Sequence, residues 1–172
     1  MKKILSLLFL CTLLFVHNKV SYANDDIIID YIHPDLKIEI IDSESSPETT
    51  NEFPRFPQLY GIYRPVLNWD MSSGAYTFSV HTENSIIFSN YYFKGHNGTL
   101  KFKLPETSGP SSAYYKFYLY EQATYQVVAE LSLRKNTTSS FSVTNLNTSK
   151  GYHFGIRPNN DLTTIVNGQV WK

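Results

Sequence analysis

The sequence predicts an all-β protein: an antiparallel sandwich of about seven or eight strands, preceded by a signal peptide and an acidic N-terminal arm. Three observations support this prediction. Apolar and polar residues alternate with a period of two through most of the chain, as in strands that have one buried face. Turn-forming residues recur at intervals of about 8–12 residues, which is typical of all-β sandwiches. No stretch of useful length has the period of an amphipathic helix.

The first 23 residues have the pattern of a secretory signal peptide. Lys2 and Lys3 precede an apolar stretch, residues 4–16, and Ser21 and Ala23 occupy the small-residue positions that a signal peptidase recognises. The apolar stretch is shorter than the roughly 20 residues that a membrane-spanning helix needs. We therefore expect cleavage after Ala23 and a secreted protein without stable membrane insertion.

Cys11 is the single cysteine of the sequence and lies in the middle of this apolar stretch. The preceding residue, Leu10, is not small, so the pattern does not indicate a lipoprotein signal. After cleavage, residues 24–172 have no disulfide, no thiol nucleophile and no thiolate metal site. A chain of about 150 residues is the ordinary size of one domain, so we expect the burial of one core to hold it together.

The charges divide the mature chain into an acidic arm and a basic body. Residues 24–52 hold nine acidic residues and one basic residue, whereas residues 53–172 hold six acidic and eleven basic residues. Residues 42–57, DSESSPETTNEFPRFP, have the composition of a linker. The predicted organisation is a signal peptide at 1–23, an acidic arm and linker at 24–57, and a sandwich domain at 58–172. We expect the arm either to lie against the body or to keep the protein soluble.

Strand-like runs follow one another through the arm and the body. Residues 58–69, QLYGIYRPVLNW, contain Gly61 and Pro65, so we expect an edge segment or a covering loop there. In the clear runs, alternate apolar side chains face inward. The predicted runs are 36–41, 74–82, 85–93, 99–104, 113–121, 124–134, 139–146, 151–157 and 163–171. The expected inward-facing residues are Tyr76, Phe78, Val80, Leu100, Phe102, Leu104, Tyr115, Phe117, Leu119, Val127, Ala129, Leu131 and Leu133.

The stretch SVTNLNTSKGYHFGI, residues 142–156, predicts a crossing from one sheet to the other. Leu146 closes one strand and Tyr152 opens the next, so the tyrosine ring can enter the core while its hydroxyl turns back to the crossing backbone. This spacing resembles the corner of fibronectin type III domains, although Thr148 and Lys150 stand where proline and threonine are usual. The resemblance implies an immunoglobulin-like sandwich.

The succession of strands between residues 99 and 157 also resembles the pre-peptidase C-terminal type of bacterial sandwich. The signal peptide, the absence of cysteine after cleavage and the Lys-, Asn-, Ile- and Tyr-rich composition are similar to those of small exported proteins of Gram-positive bacteria such as Bacillus. These resemblances imply an architecture and an exported location. They imply no ligand and no catalytic residue.

The sequence contains no catalytic motif: it has no nucleophile elbow, no His-Glu-x-x-His and no phosphate-binding glycine loop. We therefore expect no enzymatic activity and no cofactor. His81 and Glu83 have a spacing suited to a divalent metal, but no second pair accompanies them, so we expect no metal site. We expect His33 and His96 in turns and His153 facing solvent. An alternative is a small secreted hydrolase that uses carboxylates or His81 with Glu83.

Tyrosine is unusually frequent, with 13 residues in the chain. The run 113–121 places several tyrosines on its outward face, where each offers apolar area and a hydroxyl to a ligand. Two lysines of the run 99–104 are expected to share this face. The predicted ligand-binding residues are Tyr114, Lys116, Tyr118, Tyr120, Lys101 and Lys103. The competing interpretation is that residues 58–69 or the arm cover this face, or that the rings pair for stability.

Together these features predict a secreted, non-enzymatic binding or interaction module whose partner is a cell-wall polymer or an extracellular protein. A further alternative is an inhibitory or structural protein whose arm acts by strand addition. Lys2, Lys3 and Lys19 leave with the signal peptide, so the net charge falls from 0 to −3. This charge and export from the cell argue against nucleic acid as the partner.

Overall fold

The computed structural model describes residues 25–41, 58–59, 63–105, 113–159 and 164–172. These residues form thirteen strands and one short 3₁₀ helix, Met71–Ser73. The strands are β1 (Ile27–Ile32), β2 (Lys37–Ile40), β3 (Gln58–Leu59), β4 (Leu67–Asp70), β5 (Tyr76–Thr82), β6 (Ile87–Phe88), β7 (Tyr91–Lys94), β8 (Leu100–Leu104), β9 (Tyr114–Glu121), β10 (Val127–Arg134), β11 (Ser139–Thr144), β12 (Tyr152–Pro158) and β13 (Thr164–Trp171). The predicted signal peptide and linker lie outside the described residues. Within those residues, no helix is long and apolar enough to cross a membrane.

The strands form two sheets that face each other. The seven-stranded sheet has the order β1-β10-β9-β12-β7-β4, and β6 also pairs with β12. The six-stranded sheet has the order β2-β11-β8-β13-β5-β3. The predicted all-β sandwich is confirmed at this level. It is not wholly antiparallel, because β3 runs parallel to β5 and β4 runs parallel to β7 at the sheet edges.

The described residues contain more strands than the seven or eight that the sequence predicts. The segment 58–69 supplies β3 and β4, which lie at the edges of the two sheets as expected for an edge segment. The run predicted at 85–93 is divided into β6 and β7 by Ser89, whose hydroxyl donates to the carbonyl of Tyr91 at 3.0 Å. The arm supplies the remaining two strands, β1 and β2.

The acidic arm is part of both sheets. β1 pairs with β10 and β2 pairs with β11, so the sheets include residues on both sides of the predicted boundary at 57 and 58. Asp26 lies 3.3 Å from the guanidinium of Arg134, and Asp30 lies 3.0 Å from the ammonium of Lys116. These partly exposed pairs contribute little each, so burial of Ile27 in the core is the stronger attachment.

The core lies between the two sheets and is rich in aromatic rings. The Phe154 ring on β12 lies 4.5 Å from the Phe78 ring of the opposite sheet and 5.8 Å from the rings of Phe93 and Phe117. Except for Val127, which is half-buried, the predicted inward-facing residues are buried: Tyr76, Phe78, Val80, Leu100, Phe102, Leu104, Tyr115, Phe117, Leu119, Ala129, Leu131 and Leu133. The period-two pattern therefore predicted the core-facing side of these strands correctly, except at Val127. A β-bulge between Val127 and Ala129 pairs Val127 with the outward-facing Tyr120 and places Val128 in the core, so the inward assignment of Val127 is wrong.

The predicted crossing at Tyr152 is confirmed. β11 belongs to the six-stranded sheet and β12 to the seven-stranded sheet, so the connecting residues cross one end of the sandwich. Tyr152 is buried, and its hydroxyl accepts a hydrogen bond from the backbone N–H of Asn147 at 3.1 Å. Leu146 is also buried and donates its N–H to the carbonyl of Gly98 at 2.9 Å. The tyrosine thereby satisfies a backbone donor of the crossing loop.

We expect Tyr152→Phe to lower the free energy of unfolding by about 1 kcal/mol, because it removes the acceptor of the Asn147 N–H and leaves the ring in place. Urea unfolding followed by tryptophan fluorescence measures this change. Tyr63→Phe is the control, since the Tyr63 side chain is exposed. Equal stabilities of the two variants would show that the hydroxyl does not stabilise the corner.

Candidate functional site

The six predicted ligand-binding residues lie on two opposite outer faces of the sandwich. Tyr114, Lys116, Tyr118 and Tyr120 alternate with core residues along β9 and point to the outer face of the seven-stranded sheet. Lys101 and Lys103 lie on β8, in the six-stranded sheet. The expectation that these two lysines share the face of Lys116 is wrong, because the chain crosses to the other sheet between β8 and β9.

Lys116 is enclosed by carboxylates. Its Nζ lies 3.0 Å from Asp30 Oδ2 on β1 and 3.0 Å from Glu130 Oε1 on β10. Burial disfavours the charge of Lys116, but the hydrogen bonds and the attraction from both carboxylates outweigh it, so the pKa of Lys116 lies above its ordinary value. Ser132 also donates to Asp30 Oδ2 at 2.7 Å. The lysine therefore ties three strands together and is not a free cation.

Tyr114 also connects the arm to the body. Its hydroxyl donates a hydrogen bond to the carbonyl of Asp25 at 3.0 Å. Its ring lies 5.8 Å from the guanidinium carbon of Arg134, within the range of a cation–π contact. The interpretation that the arm covers part of the tyrosine face is thus supported at Tyr114 and Lys116.

The opposite end of this face is covered by an aromatic cluster around His153. His153 is fully buried, and its ring stacks on Tyr120 at 4.9 Å with an interplanar angle of 18°. The rings of Tyr92 and Phe88 lie 5.1 Å and 5.7 Å from it. The expectation that His153 faces solvent is wrong, because side chains of β6 and β7 lie over the outward side of β12.

Arg64 completes this cover. Its guanidinium carbon lies 4.4 Å from the ring centre of Tyr125, 5.4 Å from that of Tyr120 and 5.8 Å from that of Phe88. Arg64 belongs to the segment 58–69, so the expected covering loop is present over Tyr120. Tyr125 has a φ of 58° in the turn between β9 and β10, a left-handed conformation that is uncommon for tyrosine. The period-two pattern of β9 gave no signal for these covering residues.

The aromatic cluster moves the pKa values of His153 and Tyr120 further from physiological pH. Burial and the nearby Arg64 guanidinium lower the pKa of His153 to about 4. Burial raises the pKa of Tyr120 to about 12. Among the described residues, neither ring nitrogen of His153 has a hydrogen-bond partner. A proton on this imidazole would therefore place an unpaired charge beneath Arg64.

A cleft of about 580 Å³ opens on the outer face beside this cluster. It combines tyrosine rings from β9 with an arginine from β12 and polar residues from the loop between β5 and β6. The rings of Tyr118 and Tyr120 lie 6.0 Å apart. The lining residues are Asn84, Ser85, Ile86, Tyr118, Tyr120 and Arg157, and we call this site the Tyr118–Arg157 cleft.

Gly155 shapes the wall of the Tyr118–Arg157 cleft. It pairs with Tyr118 across β12 and β9. A Cβ at this position would lie 2.8 Å from Ile86 Cδ1 and 3.1 Å from Phe88 Cδ1. The absence of a side chain at Gly155 therefore lets Ile86 reach over β12 toward the tyrosines.

The side of the cleft next to β12 is positively charged. Arg157 is exposed, and neither Arg157 nor Arg64 forms an ion pair with a carboxylate of the described residues. Glu130 pairs with Tyr118 in the register of β10 and β9, but its carboxylate is held by Lys116. Two of the six predicted residues, Tyr118 and Tyr120, thus line the cleft, and Arg157 is a lining residue that the sequence reasoning missed.

A smaller cavity of about 190 Å³ lies at the crossing corner. Its ionisable side chains lie close to one another: Lys150 Nζ lies 2.6 Å from Glu121 Oε2, and His33 Nδ1 lies 3.6 Å from Asp35 Oδ2. The lining residues are His33, Asp35, Leu36, Glu121, Val128, Asn145, Asn147, Lys150 and Tyr152. This cavity is lined largely by residues that hold the corner together.

The other described histidines lie in loops or near the end of a strand. His33 lies at the predicted turn after β1, and His96 lies in the loop between β7 and β8, where its Nε2 contacts the carbonyl of Lys150 at 3.2 Å. His81 and Glu83 are exposed at the end of β5 and in the loop after it. In the part of the chain that the structure describes, no group of three or more His, Cys, Asp or Glu side chains is arranged to hold a metal ion.

Comparisons of the chain with protein-family models, with curated proteins and with solved structures find no match. The resemblances to fibronectin type III domains, to pre-peptidase C-terminal sandwiches and to small exported bacterial proteins stay predictions.

Proposed function

We propose that this protein is a secreted, non-enzymatic binding module that holds a cell-wall polysaccharide in the Tyr118–Arg157 cleft. The observation that carries the proposal is the partly exposed ring of Tyr118 in a cleft with a guanidinium that has no carboxylate partner among the described residues. Tyrosine offers an apolar face for a sugar ring and a hydroxyl for its polar groups. The N-terminal signal pattern supports secretion.

The chemistry of the lining favours binding over catalysis. Among the described residues, the lining of the cleft contains no carboxylate, and none of them places a histidine or carboxylate beside the hydroxyl of Ser85 in that lining. His153 lies beneath Tyr120 and is fully buried, so it does not reach a ligand in the cleft. A serine hydroxyl without a neighbouring base is a poor nucleophile, and a buried histidine cannot act as that base. Both features favour a binding role.

The size and surroundings of the cleft favour a polysaccharide over a protein partner. A volume of about 580 Å³ lies within the ordinary range of small-ligand sites, which suits one or two units of a longer polymer. Beside Tyr118, the outer face carries the charged cluster of Asp30, Lys116 and Glu130. The centre of a stable protein interface is depleted in such charges.

Retention on isolated Gram-positive cell walls tests this proposal. We expect the mature protein to be retained at low salt and Tyr118→Ala to reduce retention about tenfold, because the variant loses the ring on which a sugar can stack. Ile165→Ala is the control, since Ile165 is partly exposed on β13 in the opposite sheet. Equal retention of Tyr118→Ala and the unmodified protein, or no retention of the unmodified protein, would rule the proposal out.

A further inference from the structure

We propose that the ligand of the Tyr118–Arg157 cleft is an acidic polysaccharide, and that Arg157 binds its carboxylate or phosphate group. This inference rests on the proposed function and adds the chemical class of the ligand. It follows from the distribution of charges on the outer face of the seven-stranded sheet, from the register of β9 and β12, and from the hydrogen-bonding groups of the lining.

The charges around the cleft are unequally compensated. Lys116 is bound by Asp30 and Glu130, each at 3.0 Å, so this group has one carboxylate in excess and contributes no free cation. On the β12 side, Arg157 and Arg64 have no carboxylate partner among the described residues. Tyr118 and Tyr120 lie between these two regions. An anionic group in the cleft is therefore attracted to the β12 side and repelled from the β10 side.

The register places the guanidinium and the stacking ring at a suitable separation. Tyr118 pairs with Gly155, and Arg157 lies two residues further along β12 on the same face. Such diagonal neighbours on adjacent strands are about 7–8 Å apart. One sugar unit that stacks on Tyr118 can reach Arg157 with an acidic substituent. The spacing of Tyr118 and Arg157 thus suits a single sugar unit that carries its own acidic group.

The hydrogen-bonding groups of the cleft match the same ligand. An arginine guanidinium presents paired donors that fit both carboxylate and phosphate oxygens. Asn84 and Ser85, in the loop opposite β9, add an amide and a hydroxyl that suit sugar hydroxyls. A neutral polysaccharide could use the Tyr118 ring and these polar groups but would gain no attraction from the charge of Arg157.

Selective removal of anionic groups from cell walls tests the inference and distinguishes its two possible sources. Three preparations are compared: untreated walls, walls whose carboxylates have been converted to amides with carbodiimide and an amine, and walls whose phosphodiester-linked polymers have been removed with cold hydrofluoric acid. We expect the protein to bind untreated walls and to lose about tenfold or more of its retention on one of the treated preparations. We also expect Arg157→Gln to lower retention on untreated walls by a similar factor.

Lys101→Gln is the matched control, because it removes the same charge from β8 in the opposite sheet. Arg157→Lys keeps the charge but not the paired donors, so we expect an intermediate retention. Thermal unfolding of Arg157→Gln should match that of the unmodified protein, since Arg157 is exposed. Undiminished retention on both treated preparations, or equal retention of Arg157→Gln, would overturn the inference while leaving polysaccharide binding intact. Absence of retention on untreated walls would instead overturn the proposed function.

Discussion

Replacing Phe154 by alanine is expected to lower the free energy of unfolding by about 3–5 kcal/mol. Phe154 is fully buried on β12, and its ring joins the two sheets through the contact at 4.5 Å with Phe78. Its removal loses the burial of a large apolar side chain and leaves a cavity between rings that cannot all close in on it. Urea unfolding, followed by the fluorescence of the two tryptophans, measures the change.

Two further variants test whether the loss of stability comes from the cavity at Phe154. Phe154→Leu leaves a smaller cavity and is expected to cost less than the alanine variant, so the order of the two holds even if the alanine variant is too unstable to measure. Tyr63→Ala removes an aromatic side chain that is 81 % exposed, and we expect it to change stability by less than about 0.5 kcal/mol. A cost for Phe154→Ala as small as that of the Tyr63 variant would contradict the packing of the two sheets around this ring.

Acid is expected to destabilise the protein through His153. Burial and Arg64 lower the pKa of His153 from 6.5 in the unfolded chain to about 4 in the folded protein. Between these two values the unfolded chain binds a proton that the folded protein does not. The contribution of neutral His153 to the free energy of unfolding is therefore complete above about pH 6.5. It falls by about 3 kcal/mol as the pH is lowered toward about 4.

The free energy of unfolding, measured by urea titration at intervals between pH 4 and pH 7.5, tests this expectation. We expect His153→Phe to lose about 3 kcal/mol less than the unmodified protein over the same range. Some dependence on pH should remain, because burial also lowers the pKa of His96. Tyr92→Phe keeps the imidazole and should keep the full dependence. Identical pH profiles for His153→Phe and the unmodified protein would show that His153 is not buried in a neutral form.

The alternation of apolar and polar residues predicted which side chains of β9 face the core. It did not predict whether the outward side chains are exposed to solvent. The extended backbone itself sends successive side chains to opposite faces, so Phe117 and Tyr118 were assigned correctly from spacing alone. Whether an outward residue meets solvent depends on other segments. Lys116 is enclosed by Asp30 of the arm, and Tyr120 lies under Arg64, and neither neighbour is close to β9 in sequence.

The prediction for His153 was also right about the direction of the side chain and wrong about its exposure to solvent. Its position between Tyr152 and Phe154 predicted correctly that it lies on the outward side of β12. The expectation of solvent exposure followed from the assumption that this side is open. Phe88 and Tyr92 overturn that assumption, because the interrupted pair of strands β6 and β7 brings both rings over the imidazole. Nothing in the spacing of residues 85–93 indicated that they would do so.

By itself, the sequence determined the all-β class, most of the core-facing residues and the crossing at Tyr152, since all three depend on backbone periodicity and on contacts between residues close in the chain. Only the tertiary structure decided that Lys101 and Lys103 are separated from Lys116, that the arm neutralises Lys116, and that Arg157 joins Tyr118 and Tyr120 in one cleft. These outcomes depend on which sheet each strand enters and in which register it pairs. The free energy of burying the whole core sets that choice, and no local pattern of residues encodes it.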